Sequence, residues 1–120
     1  MLIVTLGVLL AATAVTAPAQ AAAPPQQRAS ISVDSKACTV TAKFTYKNSD
    51  PATFQYAEID VYTPDGNEIA GEYSTNLSDT IFVTVSGDWG PSYYARGTVF
   101  YNNGEWAPVS ETRTVTLRCR

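Results

Sequence analysis

From residue 30 onward the chain alternates apolar and polar side chains, which is the pattern of β-strands with one buried face. Residues 38–47 show it most clearly: one parity holds only threonines and lysines, and the other holds Cys38, Val40, Ala42, Phe44 and Tyr46. The apolar set is expected to face a core and the polar set to face water. No window beyond the N-terminal segment shows the 3.6-residue period of an amphipathic helix. The chain is therefore expected to be all-β.

Six more segments have strand composition, being rich in β-branched and aromatic residues and bounded by turn-forming ones. The TPDGN turn at residues 63–67 is typical of these boundaries, because proline presets φ and glycine tolerates a positive φ. Short strands at spacings of about ten residues predict one antiparallel β-sandwich of about seven strands over residues 30–120. We expect the strands over residues 30–34, 38–47, 54–63, 67–73, 80–86, 92–101 and 109–119.

The N-terminal segment is of a different kind. Residues 2–17 are almost wholly apolar or small, but this run is shorter than the about 20 residues that a membrane span needs. Ala19-Gln20-Ala21 then forms a small-residue cleavage site, so residues 1–21 are predicted to be a secretory signal peptide. An uncleaved N-terminal anchor is the alternative. Residues 22–29 predict a flexible lead-in, and the mature protein is expected to be secreted, without stable membrane insertion.

The two cysteines are Cys38 and Cys119. An even number of cysteines in a secreted chain predicts a disulfide, and only one pairing is available. Both cysteines share the parity of apolar neighbours, so both sulfur atoms are expected to point into the core. In a seven-strand sandwich the start of the second strand and the end of the last lie at one pole, so the bridge would join the two sheets.

Charge and composition argue against several classes of function. Eleven acidic and eight basic residues give a net charge of −3, whereas nucleic-acid binding requires a basic surface. The chain has no histidine, which rules out Ser-His-Asp and Cys-His catalysis and imidazole metal sites. We therefore expect a protein without enzyme activity, cofactor or metal.

The segment SYYARGTVFYNNGEWAPVS at residues 92–110 combines an alternating strand, an Asn-Asn-Gly turn and an entry to the last strand that contains proline and serine. It resembles the corresponding part of fibronectin type III-like and related immunoglobulin-like sandwiches. The resemblance is specific over residues 92–117 and extends in outline over 30–118, with Phe44 in place of the usual core tryptophan. It implies that Tyr93 is a corner tyrosine and that the core-facing residues of this strand are Ala95, Gly97, Val99 and Tyr101.

The opposite parity gives a candidate binding face. In the topology that the resemblance implies, strands 54–63 and 92–101 are neighbours, and both place aromatic and charged side chains outside. Tyrosine and tryptophan beside arginine are typical of interaction hot spots, and cross-strand support of the sheet without any ligand is the alternative. We predict the binding residues Tyr56, Tyr62, Tyr94, Arg96, Phe100 and, in the following turn, Trp106.

The expected function is that of a secreted, non-enzymatic binding domain, protein-binding or inhibitor-like, with an extracellular protein as partner. A carbohydrate- or cell-envelope-binding module that takes a polysaccharide, and a structural protein without a discrete ligand, are the alternatives.

Three further features have plainer interpretations. Glu58 and Asp60 are expected to be a solvated strand face paired with Arg96, residues 65–68 to be a turn rather than a calcium site, and Trp89 to plug a corner of the sandwich.

Overall fold

The computed structural model describes residues 26–104 and 109–119. This part of the chain folds into strands joined by short turns, with one 3-10 turn at Gly87–Trp89. No helix within these residues is long and apolar enough to cross a membrane. The strands are β1 (Gln26–Asp34), β2 (Thr39–Lys47), β3 (Phe54–Tyr62), β4 (Glu68–Ser74), β5 (Ser78–Ser86), β6 (Ser92–Tyr101), β7 (Ser110–Glu111) and β8 (Val115–Thr116).

The strands form two antiparallel sheets that pack face to face. The first sheet has the order β1-β2-β5, and the second has the order β4-β3-β6-β7, with β8 also paired to β6. The all-β class with two antiparallel sheets is therefore confirmed. The core between the sheets takes the predicted parity from β2, β3 and β6: Val40, Ala42, Phe44, Tyr46, Ala57, Ile59, Val61, Tyr93, Ala95 and Val99.

The sheets approach closely where Gly97 of β6 lies against Phe44 of β2. A Cβ atom at Gly97 would overlap the Phe44 ring, so glycine is required here by space. At the start of β6, the Tyr93 hydroxyl donates a hydrogen bond to the Gly90 carbonyl oxygen at 2.5 Å. This is the contact expected of a corner tyrosine, and it fixes the turn that precedes β6.

The ends of the chain differ from the sequence-based expectation. Strand β1 begins at Gln26, so residues 26–29 of the predicted lead-in are part of a strand. Residues 22–25 and the predicted signal peptide at 1–21 lie outside the described residues. The predicted last strand at 109–119 is divided into β7 and β8, because the Thr112 hydroxyl, rather than a backbone carbonyl, accepts the hydrogen bond from the Ala95 N–H at 2.9 Å.

The disulfide between Cys38 and Cys119 is present, with 5.0 Å between the Cα atoms. It ties the turn before β2 in the first sheet to the chain after β8 in the second. Cys38 is half-buried and packs against the core, as expected, whereas Cys119 is exposed, so the expectation of a core position is wrong for Cys119. The strand ends at Thr116, so its alternation does not continue to position 119, and Leu117 is the buried residue at this pole.

Candidate functional site

The register between β3 and β6 creates four rows of paired side chains on the outer face of the second sheet. The two outermost rows are aromatic, and the two central rows are polar. Each pair lies directly across the sheet, within the distance at which cross-strand side chains interact. From one end to the other the rows are Tyr56–Phe100, Glu58–Thr98, Asp60–Arg96 and Tyr62–Tyr94.

The rings of each aromatic row stack on one another. The ring centroids of Tyr56 and Phe100 are 4.6 Å apart, and those of Tyr62 and Tyr94 are 5.1 Å apart. Tyr73 of β4 adds an edge-to-face contact to Tyr56 at 6.3 Å and is itself 64% exposed. The four stacked rings are half-buried on this face. We call the outer surface formed by Tyr56, Tyr62, Tyr73, Tyr94, Arg96 and Phe100 the aromatic face.

Arg96 lies at the centre of the aromatic face, but its guanidinium does not form an ion pair with the predicted acidic residues. Its guanidinium donates to the Glu111 carboxylate of β7 at 3.0 Å, and its central carbon lies 5.1 Å from the centroid of the Tyr62 ring. Arg96 lies across the sheet from Asp60, as expected, but its ion pair is with Glu111 and not with Glu58 or Asp60. Glu111 reaches Arg96 because β7 pairs with β6 at this residue.

Asp60 is buried on this outer face, with only 5% of its surface exposed. The adjacent strand provides the space, since a Cβ atom at Gly71 of β4 would overlap Asp60 Oδ1. Burial, with the carboxyl groups of Glu58 and Glu68 nearby, raises the pKa of Asp60 to about 9. With this raised pKa the Asp60 carboxyl group holds a proton at neutral pH, and because the residue is buried, the expectation of a solvated acidic strand face is wrong for it.

Glu68 joins this group through an irregularity in the sheet. The register between β3 and β4 shifts between Val61 and Tyr62, so that Glu68 lies opposite Tyr62. Within the described part of the chain, no group of three or more acidic, cysteine or histidine side chains is placed to hold a metal ion.

The outer face of the first sheet provides an internal contrast. It carries hydroxyl groups in cross-strand pairs, with Thr41 and Thr84 joined at 2.9 Å and Thr45 and Thr80 joined at 3.1 Å. Lys43 is exposed, and Phe82 is 56% exposed without a stacked ring beside it among the described residues. The aromatic clustering is therefore a property of the second sheet.

The predictions for the two tryptophans compare differently with the structure. Trp106 lies outside the described residues, and its predicted role stays a prediction. Trp89 was expected to plug a corner of the sandwich, and this is wrong, because its side chain is 60% exposed at the end of the 3-10 turn. Its backbone is held at the corner while its indole lines a surface groove with the β3–β4 turn.

Comparison with known proteins gives one similarity. No protein-family model matches the sequence, and no curated protein matches it. Among solved structures, the sensor domain of the anti-sigma factor RsgI4 in Pseudobacteroides cellulosolvens is similar, with a TM-score of 0.53 and 10% sequence identity. The match covers 83% of this chain and 100% of that chain. At this level of identity the similarity concerns the fold.

Proposed function

We propose that this protein is an extracellular, non-catalytic binding domain that recognises a protein partner through the aromatic face. The observation that carries the proposal is the concentration of stacked, half-buried rings around Arg96 on one outer sheet surface. Flat surfaces that combine tyrosine and arginine are favoured in protein interfaces, where they supply much of the binding energy. The disulfide agrees with an extracellular location.

The geometry of the rings favours a protein over a polysaccharide on this face. A sugar ring binds an aromatic side chain through an open π-face, whereas each of these rings already has one face on its cross-strand partner and Arg96 lies over the Tyr62 ring. The half-buried rings and the exposed Tyr73 present a mixed apolar and polar surface of the kind that side chains of a partner protein can cover. The turn that contains Trp106 follows β6 and belongs to the proposed binding surface.

The fold similarity agrees with a binding role. The similar structure is that of a sensor domain, and a domain of this kind recognises rather than transforms its ligand. Because unrelated functions occur on one fold, this similarity supports the proposal only by analogy.

We also infer that the sandwich is of the fibronectin type III-like kind. In constant-type immunoglobulin domains the fourth strand joins the sheet of the first, second and fifth strands. Here β4 pairs with β3 instead, and the Tyr93–Gly90 hydrogen bond supports the corner-tyrosine assignment.

Site-specific photo-crosslinking tests the protein partner. A photoreactive phenylalanine analogue replaces Tyr73 on the aromatic face, and in a matched control it replaces Phe82 on the first sheet, where the exposure is similar. After incubation with culture medium and cell envelope of the source organism, we expect a discrete protein adduct from position 73 and none from position 82.

Competition by surface variants makes this test specific to the aromatic face. Unlabelled wild-type protein should suppress the adduct, Arg96→Ala should suppress it much less, and Lys43→Ala on the first sheet should behave like the wild type. Equal labelling from positions 73 and 82, or the absence of an adduct at position 73, would contradict the proposal.

A further inference from the structure

Trp89 lies in a setting that distinguishes it from an ordinary exposed apolar residue. Single apolar side chains are common on protein surfaces, but this indole lines an open groove of about 640 Å³. The rest of the lining is the turn between β3 and β4 with the start of β4, which contribute Thr63, Pro64, Asp65, Asn67, Glu68 and Ile69. The groove is open to solvent and combines an apolar ring with several polar groups, which is the composition of small-molecule sites.

The turn that carries Trp89 is anchored on both sides. Before it, the Gly87 N–H donates to the Cys38 carbonyl oxygen at 2.9 Å, next to the disulfide. After it, the Gly90 carbonyl oxygen accepts the 2.5 Å hydrogen bond from the Tyr93 hydroxyl. The backbone of Trp89 is therefore fixed before any ligand arrives, which reduces the entropy lost on binding.

The polar wall of the groove is also ordered in advance. Asp65 Oδ1 accepts hydrogen bonds from the Thr63 hydroxyl and the Asn67 backbone N–H, and Asp65 Oδ2 accepts from Asn67 Nδ2 at 2.9 Å. The bond from the Thr63 hydroxyl, with that from the Asn67 backbone, lowers the pKa of Asp65, so the carboxylate is ionised at neutral pH. The Asn67 amide has two hydrogens, and its bond to Asp65 uses only one of them.

We propose that this groove binds a pyranose ring of a neutral carbohydrate, with the flat C–H face of the sugar on the Trp89 indole. Sugar hydroxyl groups both donate and accept hydrogen bonds, and the groove offers both functions through the Asp65 carboxylate and the Asn67 amide. A bare organic cation would use the indole and the carboxylate but would leave the amide donor without a role. A pyranose therefore matches this set of groups better.

The groove adjoins one end of the proposed protein-binding surface but contains none of its aromatic rings. It is formed by two turns and by Glu68 and Ile69 at the start of β4, and Glu68 lies opposite Tyr62 of the aromatic face. The carbohydrate proposal does not rest on the protein partner, and each can fail without the other.

Tryptophan fluorescence of full-length mature protein provides the first test. The chain has two tryptophans, so in a Trp106→Phe background Trp89 is the sole reporter. The probes are cellohexaose, hexa-N-acetylchitohexaose and tetramethylammonium chloride, which distinguish a glucan, an N-acetylated glycan and an organic cation. We expect a saturable change in the emission of Trp89 with at least one of the two sugars and no change with the cation.

Calorimetry on variants provides the second test, because it needs no tryptophan. Trp89→Ala and Asp65→Ala should each weaken sugar binding about tenfold or more, a factor that corresponds to about 1.4 kcal/mol. Phe82→Ala removes an equally exposed aromatic ring elsewhere and should leave the affinity unchanged, as should Tyr94→Ala on the aromatic face. Thermal midpoints confirm that each variant is folded.

Three results would overturn the carbohydrate proposal. These are the absence of sugar binding at millimolar concentrations, sugar binding that survives Trp89→Ala without loss, and saturable binding of tetramethylammonium in place of sugar. Loss of sugar binding in Tyr94→Ala but not in Trp89→Ala would also overturn it, because the sugar would then occupy the aromatic face.

Discussion

Replacing Asp60 by asparagine tests the electrostatics of the aromatic face. The pKa of Asp60 is raised from 3.8 to about 9 in the folded protein, first by burial and then by Glu58 and Glu68. In the unfolded chain this carboxyl group titrates near 3.8. Between these two values the folded state holds a proton that the unfolded state has lost. The stability that this group contributes is therefore fully present below pH 4 and falls as the pH rises toward 9.

The size of this fall follows from the linkage between protonation and folding. Each pH unit in the window lowers the free energy of unfolding by about 1.4 kcal/mol. From pH 4 to pH 7 this amounts to about 4 kcal/mol, a large part of the stability of a small domain. Asparagine does not titrate and keeps an N–H donor for the neighbouring carboxyl groups. The advantage of Asp60→Asn over the wild type should therefore grow from near zero at pH 4 to about 4 kcal/mol at pH 7.

Urea denaturation at a series of pH values, followed by circular dichroism with the disulfide intact, measures this difference. Asp65 and Asp79 have lowered pKa values and favour the opposite trend, but they are present in both proteins and cancel. Glu72→Gln removes one acidic group from an exposed position on β4 and serves as the matched control for a Glu-to-amide or Asp-to-amide change on the surface of the sheet. If the difference in the free energy of unfolding between Asp60→Asn and the wild type is constant or decreases as the pH rises, Asp60 is ionised in the folded protein and the reasoning fails.

Three further predictions concern the scaffold. Gly97→Ala should lower the free energy of unfolding by about 1–3 kcal/mol in urea titrations, because the added methyl group overlaps the Phe44 ring. Tyr93→Phe should lower it by about 1–2 kcal/mol, because the Gly90 carbonyl oxygen loses its donor, and an unchanged midpoint would contradict the corner role. Reduction of the disulfide, which spans 81 residues, should cost about 4–5 kcal/mol in the chain-entropy model, and an unchanged midpoint in the presence of reductant would refute it.

The alternation of the sequence was sufficient to predict which residues fill the core. Strands β2, β3 and β6 bury the expected parity, because a one-residue change in a strand moves every side chain to the other face. The same alternation predicted that Tyr56, Tyr62, Tyr94, Arg96 and Phe100 share one outer surface, and the register of β3 against β6 brings them together. The alternation did not identify Tyr73, which reaches this surface from β4.

Solvent exposure could not be predicted from parity alone. Trp89 is large and apolar, and composition favours burial for such a residue. Its exposure depends on a turn whose two ends are fixed by hydrogen bonds with Cys38 and Tyr93. The alternation of apolar and polar residues does not predict these hydrogen bonds. The irregular end of the chain has a similar origin, because the Thr112 side chain takes over a backbone hydrogen bond.

The setting of Asp60 depends on residues of three neighbouring strands, β3, β4 and β6. The aromatic rows Tyr56–Phe100 and Tyr62–Tyr94 flank the polar rows on β3 and β6. Gly71 leaves the space into which the Asp60 carboxyl group fits. A shift of register on β4 then places Glu68, rather than its apolar neighbour, opposite Tyr62.

Arg96 also contributes to this arrangement. It lies opposite Asp60 in the register of the strands, but its guanidinium is directed toward Glu111. Its ion pair with Glu111 and its position over the Tyr62 ring keep the guanidinium from neutralising Asp60. The carboxyl group therefore keeps its proton, since a buried charge without a cation would be costly. A partner that draws Arg96 away from Glu111 and toward Asp60 would favour ionisation of the acid. Binding at the aromatic face should then release a proton, so the affinity for the partner should increase with pH between 6 and 8. If the surface is rigid instead, the affinity should not depend on Asp60.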